Sequence, residues 1–252
     1  MRCPAFPTCL LAIALAAAAP AARADPPLVT DRPTQTYSAS TVPPAMVQNE
    51  LGYTHGRADG ATADALGEWY VRWGVVRDFE LNLLLGSFVW QDAPGSAALD
   101  GWTDSRIGLK WTSQHGEGPR PTAALLLGTS LPTGGEAYRE DTLQPDAVIA
   151  MDWSLGGRFA LGSNVGYGWA SQDLERFHRW WGSLVLAADL GRGLAAFVEG
   201  FGFLREQPGG SSTGYLDAGL TWGVTPQLQL DARAGLGRNG LDEEWFVGVG
   251  AA

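Results

Sequence analysis

From Met46 onward one pattern repeats: about ten residues in which apolar and polar side chains alternate, then a turn or a polar loop. A period of two predicts β-strands, whose successive side chains point to opposite faces. Twelve segments follow it, at 46–56, 66–76, 79–90, 102–113, 122–131, 146–155, 159–169, 180–190, 194–204, 213–224, 228–237 and 245–252. The number is even, as in bacterial outer-membrane barrels.

The connections sort into two classes. After segments 2, 6, 8 and 10 they are tight: VRD, GGR, GRG and TPQ. After the odd-numbered segments they are mostly longer and polar: RADGATADA, DAPGSAALDG, PTGGEAYREDTLQP, SQDLERFHR, EQPGGSST and NGLDEE. The connection after the fourth segment, HGEGPRP, is intermediate. Short turns at one end and long polar loops at the other are the asymmetry of an outer-membrane barrel, which a soluble propeller or sandwich has no reason to show.

The two faces of each segment differ sharply. Segment 79–89 sets Phe79, Leu81, Leu83, Leu85 and Val89 against Glu80, Asn82 and Gly86. Segment 66–76 sets Trp69, Val71, Trp73 and Val75 against Glu68, Tyr70 and Arg72, and 159–169 and 228–236 repeat the contrast. A soluble β-sandwich would also alternate, with its apolar face on a core. Two features favour a barrel that is apolar outside. Trp69, Phe79, Trp90, Trp102, Trp111, Trp153, Trp169, Trp180 and Trp245 sit near segment ends, where an interfacial girdle lies. The opposite face is rich in glycine and charge, which suits a confined wet lumen. One segment fits badly: in 194–204, Phe197, Phe201 and Phe203 share a face with Glu199. Three readings stay open there: Glu199 near a strand end, a bulge that shifts the register, or a different pairing.

The fold expected is therefore all-β, a transmembrane antiparallel up-and-down barrel of about twelve strands. Its candidate pore-lining residues are Glu50, Glu68, Arg72, Glu80, Arg106, Lys110, Asp152, Asp217, Asp231 and Arg233. Confined charges of both signs tend to pair, and a mixed lining suits small polar solutes better than a purely greasy conduit.

The start of the chain sets the compartment. Arg2, the apolar run Leu10 to Ala19 and Ala22-Arg23-Ala24 make a secretory signal peptide over 1–24. Both cysteines, Cys3 and Cys9, lie inside it, so beyond residue 24 the chain has no thiol for a disulfide, a metal or a nucleophile. Cleavage there leaves 15 basic against 27 acidic residues, a net charge of −12. Such an acidic chain is a poor candidate for binding nucleic acid or anionic head groups by charge. After the signal no apolar run approaches the ~18 residues of a membrane helix.

The residues TDRPTQTYSASTVPPAMVQNELGYTH carry a resemblance. Thr30-Asp31-Arg32-Pro33, a Ser/Thr-rich stretch, Val42-Pro43-Pro44, then Gln48, Glu50, Gly52 and Tyr53 resemble the opening of the MetA-pathway-of-phenol-degradation family of outer-membrane barrels. GTSLPTGGEAY resembles that family's L-P-T-G loop, and DEEWFVGVG its closing strand. The resemblance implies an outer-membrane channel or transporter for small molecules, including aromatic or apolar compounds. Its surroundings would be outer-membrane lipid, a small-molecule solute and the barrel-assembly machinery. The alternative is a non-conducting barrel serving structure or surface interaction. One departure stands out: the chain stops at Gly250-Ala251-Ala252, with a last segment of about eight residues and no terminal aromatic. Closure is expected to be weakest there.

Residues 25–45 precede the barrel, 46–252, and contain DRPTQTYSASTVPP, which has neither period. A twelve-stranded lumen is narrow enough for one extended peptide to obstruct. This segment is polar, proline-stiffened and next to the periplasmic start of the first strand. It is expected to fold into or across the mouth as a plug, with Asp31 and Arg32 meeting charges among Glu50, Glu68, Arg72, Arg106, Lys110 and Arg233. The other reading is a disordered periplasmic leader.

Catalysis finds no support in the pattern. Of three histidines, His55 ends the first segment, His115 lies in a periplasmic turn and His178 in an outer loop, and none sits in H-x-S-N or G-x-S-x-G. No cluster has metal-ligand spacing, and the glycines follow the strand period without forming a phosphate loop. No enzyme activity, cofactor or metal is expected.

Overall fold

The computed structural model describes residues 28–252, apart from 59, 141, 173–174, 205–209, 211 and 240–241. The signal peptide expected at 1–24 and most of the EQPGGSST connection lie outside the described residues. The first strands are β1 (Val47–Ala58), β2 (Ala61–Val76), β3 (Phe79–Leu84), β4 (Phe88–Asp92), β5 (Leu99–Trp102), β6 (Ser105–Gln114) and β7 (Thr122–Leu131). They are followed by β8 (Gln144–Ser154), β9 (Phe159–Gln172), β10 (Glu175–Gly191), β11 (Leu194–Phe203), β12 (Thr213–Thr225), β13 (Leu228–Asn239) and β14 (Asp242–Ala251). Among the described residues no helix is long and apolar enough to cross a membrane.

The strands pair antiparallel with their chain neighbours, and β14 pairs with β1. β2 pairs with both β3 and β4, and these pair in turn with β6 and β5. Each couple is one wall strand with a break, so the closed barrel has twelve, as the period predicts. Closure is complete where it looked weakest. Leu51–Arg57 runs against Trp245–Ala251 without a register shift, and β14 is ten residues long. Val247 and Val249 carry the apolar face through this seam, exposed outward.

The wall is inside-out, as the alternation predicts. Leu81, Leu184, Leu216 and Leu236 are exposed, whereas Glu50, Arg72, Lys110 and Glu199 are fully buried. Trp69, Phe79, Trp90, Trp102, Trp111, Trp169, Trp180 and Trp245 of the expected girdle are exposed, and Trp153 is half-buried. A wall facing hydrocarbon gains by presenting these side chains, and each backbone polar group is satisfied by the neighbouring strand.

Three expected loops turn out to be largely strand. RADGATADA folds into the β1–β2 hairpin, with Ala58 opposite Ala61, SQDLERFHR into β9 and β10, with Gln172 opposite Glu175, and NGLDEE into β13 and β14, with Asn239 opposite Asp242. His178 is thus a strand residue facing outward, its Nδ1 2.7 Å from the Tyr167 hydroxyl. Likewise His55 lies within β1, not at its end. Beyond the apolar band both faces are wet, so the contrast of period two disappears while the backbone ladder continues.

Segment 194–204 is settled against all three open readings. Glu199 is mid-strand and fully buried, and the pairing of β11 with β10 and β12 runs unshifted through it. Here the aromatic face is the lumenal one. Phe197 is buried and Phe201 stacks on Tyr215 of β12 at 4.7 Å, while Val198 faces outward.

Candidate functional site

The site is the barrel interior together with residues 28–45, which run through it. Asp31, Thr36, Ala39 and Val42 of this segment are buried. The segment forms no strand, so its backbone N–H groups need other partners. Carboxylates and an amide aimed inward from the wall supply them. Glu50 of β1 accepts the N–H of Asp31 at 3.1 Å and of Arg32 at 2.8 Å. Glu199 accepts those of Gln35 at 2.8 Å and Thr36 at 2.7 Å, and also the Thr36 hydroxyl. Asp152 of β8 accepts the Ala39 N–H at 2.7 Å, and Glu80 of β3 that of Val42 at 2.8 Å. Asn164 of β9 accepts the Tyr37 N–H at 2.7 Å through Oδ1 and donates to the Tyr37 carbonyl at 3.0 Å through Nδ2.

Cations close the network. Arg72 grips Glu80 through Nε and Nη2, both at 2.9 Å, while its Nη1 lies 3.1 Å from Glu50 and donates to the Val29 carbonyl at 2.6 Å. This fork is the bidentate geometry that suits arginine. Lys110 of β6 holds Asp31 at 2.9 Å. Arg32 reaches between β13 and β2, to Asp231 at 3.3 Å and to Glu68. Arg233 of β13 donates to the Pro33 carbonyl at 2.8 Å. A buried charge without a partner is costly, so these groups and the segment specify each other.

The backbone makes room for this contact. A Cβ on Gly74 would lie 2.1 Å from the Pro43 carbonyl oxygen, and on Gly52 2.1 Å from the Arg32 guanidinium. Opposite Gly52, β2 is irregular: the pairing skips from Glu50 to Gly52, and Glu68 takes a left-handed φ of 42°. Such a bulge re-aims a side chain, and here the Glu68 carboxylate turns to Arg32.

The structure places all ten candidate lining residues on the inward face, but it divides their roles. Glu50, Glu68, Arg72, Glu80, Lys110, Asp152, Asp231 and Arg233 touch residues 28–45 or a neighbour that does. Arg106 instead pairs with Asp146 of β8 at 2.7 Å, away from Asp31 and Arg32. Asp217 lies opposite Glu199, so two inward carboxyl groups face each other across β11 and β12. Glu199, Asn164 and Asp146 were missed by the sequence reading, although the inward parity of their strands marks each of them. A small apolar cluster also sits inside, where Ala39 packs on Ala124, Leu126, Val148 and Ala150.

A family model described as "Putative MetA-pathway of phenol degradation" matches residues 30–252. An outer membrane channel from Pseudomonas putida F1 has the same fold with a TM-score of 0.66 at 14% identity, over 87% of this chain and 98% of that one. The NanC porin shares it with a TM-score of 0.57 at 10% identity, over 81% of this chain and 98% of that one. No curated protein matches the chain in sequence.

Proposed function

This chain belongs to the MetA-pathway of phenol degradation family, and on that premise we propose that it is an outer-membrane channel for small molecules whose lumen is held shut by residues 28–45. The observation that carries the reading is the network just described. A wall apolar outside and polar inside encloses a segment of the same chain, hydrogen-bonded along its length to Glu50, Glu80, Asp152, Asn164 and Glu199. A barrel needed only as a membrane anchor could fill its interior with wall side chains alone. Residues 28–44 can leave the lumen without unfolding the wall, because they form no strand of its sheet. The outer-membrane location follows from the same wall and from the signal expected at 1–24. Aromatic or apolar cargo is the expectation that comes with the family.

The rival reading is a non-conducting barrel serving structure or surface interaction, and the density of buried ion pairs around Arg72 favours it. Deletion of residues 26–44, followed by single-channel conductance in planar bilayers, separates the two. The deleted form is expected to conduct at least several times more than the full chain, with heat-modifiable gel migration showing that the wall still folds. Equal conductance of a folded deletion variant rejects the plug. No conductance in either form favours the structural barrel.

A further inference from the structure

Between residues 28–45 and the outer loops lies a second feature of the lumen, a cavity of about 190 Å³. Ser130 and Gln144, which flank the long 132–143 connection, stand at its outer side, and Gln35 and Tyr37 form its floor. Its chemistry differs from the network below. There, carboxylates receive backbone N–H groups; here two guanidiniums, Arg106 and Arg179, flank one carboxylate, Asp146. Arg106 commits Nη2 to Asp146, at 2.7 Å from Oδ1 and 2.9 Å from Oδ2. A guanidinium carries five N–H donors in a planar fork, so one nitrogen given to Asp146 leaves the rest of the Arg106 fork for a second acceptor. Arg106 is also about one-fifth exposed, in contrast to the fully buried Arg72.

The other walls are aromatic. Trp181 meets Tyr37 edge-on at 6.2 Å, and Arg179 lies over the Phe203 ring at 5.5 Å. Trp181 points inward although its neighbour Trp180 faces the membrane, and the space it fills exists because β9 has glycine opposite. A Cβ on Gly166 would lie 2.0 Å from the Trp181 indole nitrogen. In the same way a Cβ on Gly128 would lie 2.3 Å from Arg106 Nη1. The backbone thus seats one cation and one ring side by side.

We propose that this cavity is a binding site for small organic carboxylates bearing one flat ring, the carboxylate on Arg106 and the ring between Trp181 and Phe203. A volume below the ~300 Å³ of sites for drug-sized ligands limits the occupant to about one ring. A planar fork prefers a carboxylate, bidentate, over a neutral amide, and aromatic side chains supply the apolar surface that a simple aliphatic acid cannot use. The inference deepens the channel reading by naming a substrate class, and rests on it only for transport, since binding is an equilibrium property.

The test uses the full-length protein folded in detergent and isothermal titration with benzoate, benzamide and acetate. Benzoate is expected to bind at least about tenfold more tightly than either analogue, the loss of one charge-assisted hydrogen bond or of the ring contact being worth that factor. In Arg106→Gln the preference of benzoate over benzamide is expected to vanish, with heat-modifiable migration unchanged. Benzoate no tighter than benzamide in the unmodified protein overturns the proposal, whatever the variant does. A folded Arg106→Gln that keeps the preference overturns it as well. Conductance plays no part in the readout, so a barrel that binds benzoate but never conducts would reject the channel reading and leave this site standing.

Discussion

Lys110 Nζ lies 2.9 Å from Asp31 Oδ2, with both side chains almost fully withdrawn from solvent. The two residues are 79 apart in the chain. The contact ties the segment ahead of the barrel to the wall strand formed by β5 and β6, and Arg72 stands 3.5 Å from the same carboxylate. Asp31 is therefore where two wall cations meet residues 28–45.

Removing that carboxylate should release the segment. Asp31→Asn leaves Lys110 buried beside a neutral partner, a loss of about 3–5 kcal/mol for a broken buried pair. The expected outcome is a higher open-channel conductance in planar bilayers with the wall still heat-modifiable. A double-mutant cycle with Lys110→Met should recover part of the loss, because the stranded cation is then gone too.

Gly74 offers a steric version of the same test. Gly74→Ala places a Cβ 2.1 Å from the Pro43 carbonyl oxygen, an overpacking worth about 1–3 kcal/mol. Conductance should rise or become noisy. Gly214→Ala is the control, since no described residue lies within 4 Å of its Cβ position, and it should behave as the parent protein does.

Placement of the segment can be read by thiol chemistry, because beyond residue 24 the chain has no native cysteine. Ala39 is fully buried, whereas Ala45 is exposed. A membrane-impermeant maleimide should modify Ala45→Cys quickly. Ala39→Cys should react at least about tenfold more slowly, since it must wait for local opening. Equal rates would mean that the segment lies outside the lumen.

The outer face is tested by charge. Leu81 is half exposed on the wall between Phe79 and Leu83. Leu81→Arg should cost about 2–4 kcal/mol if the position lies near the bilayer midplane. The urea midpoint of refolding into lipid vesicles would show it as a clear drop, while an unshifted midpoint would place Leu81 in water.

The wall is legible in the alternation of residues alone. Leu81 against Glu80, Trp73 against Arg72 and Val165 against Asn164 state which face meets hydrocarbon, because a strand's period is local and exactly two residues long. That parity also marks Glu199 and Asn164 as inward once the register is known. The tertiary structure alone decided what the inward residues hold. Nothing local links Glu199 to Thr36 or Lys110 to Asp31, which meet only after the sheet has closed and the segment has entered it. Strand ends beyond the bilayer, such as those around Asp64 and Glu175, were illegible for a related reason: where water bathes both faces, no difference in solvation remains for the pattern to record.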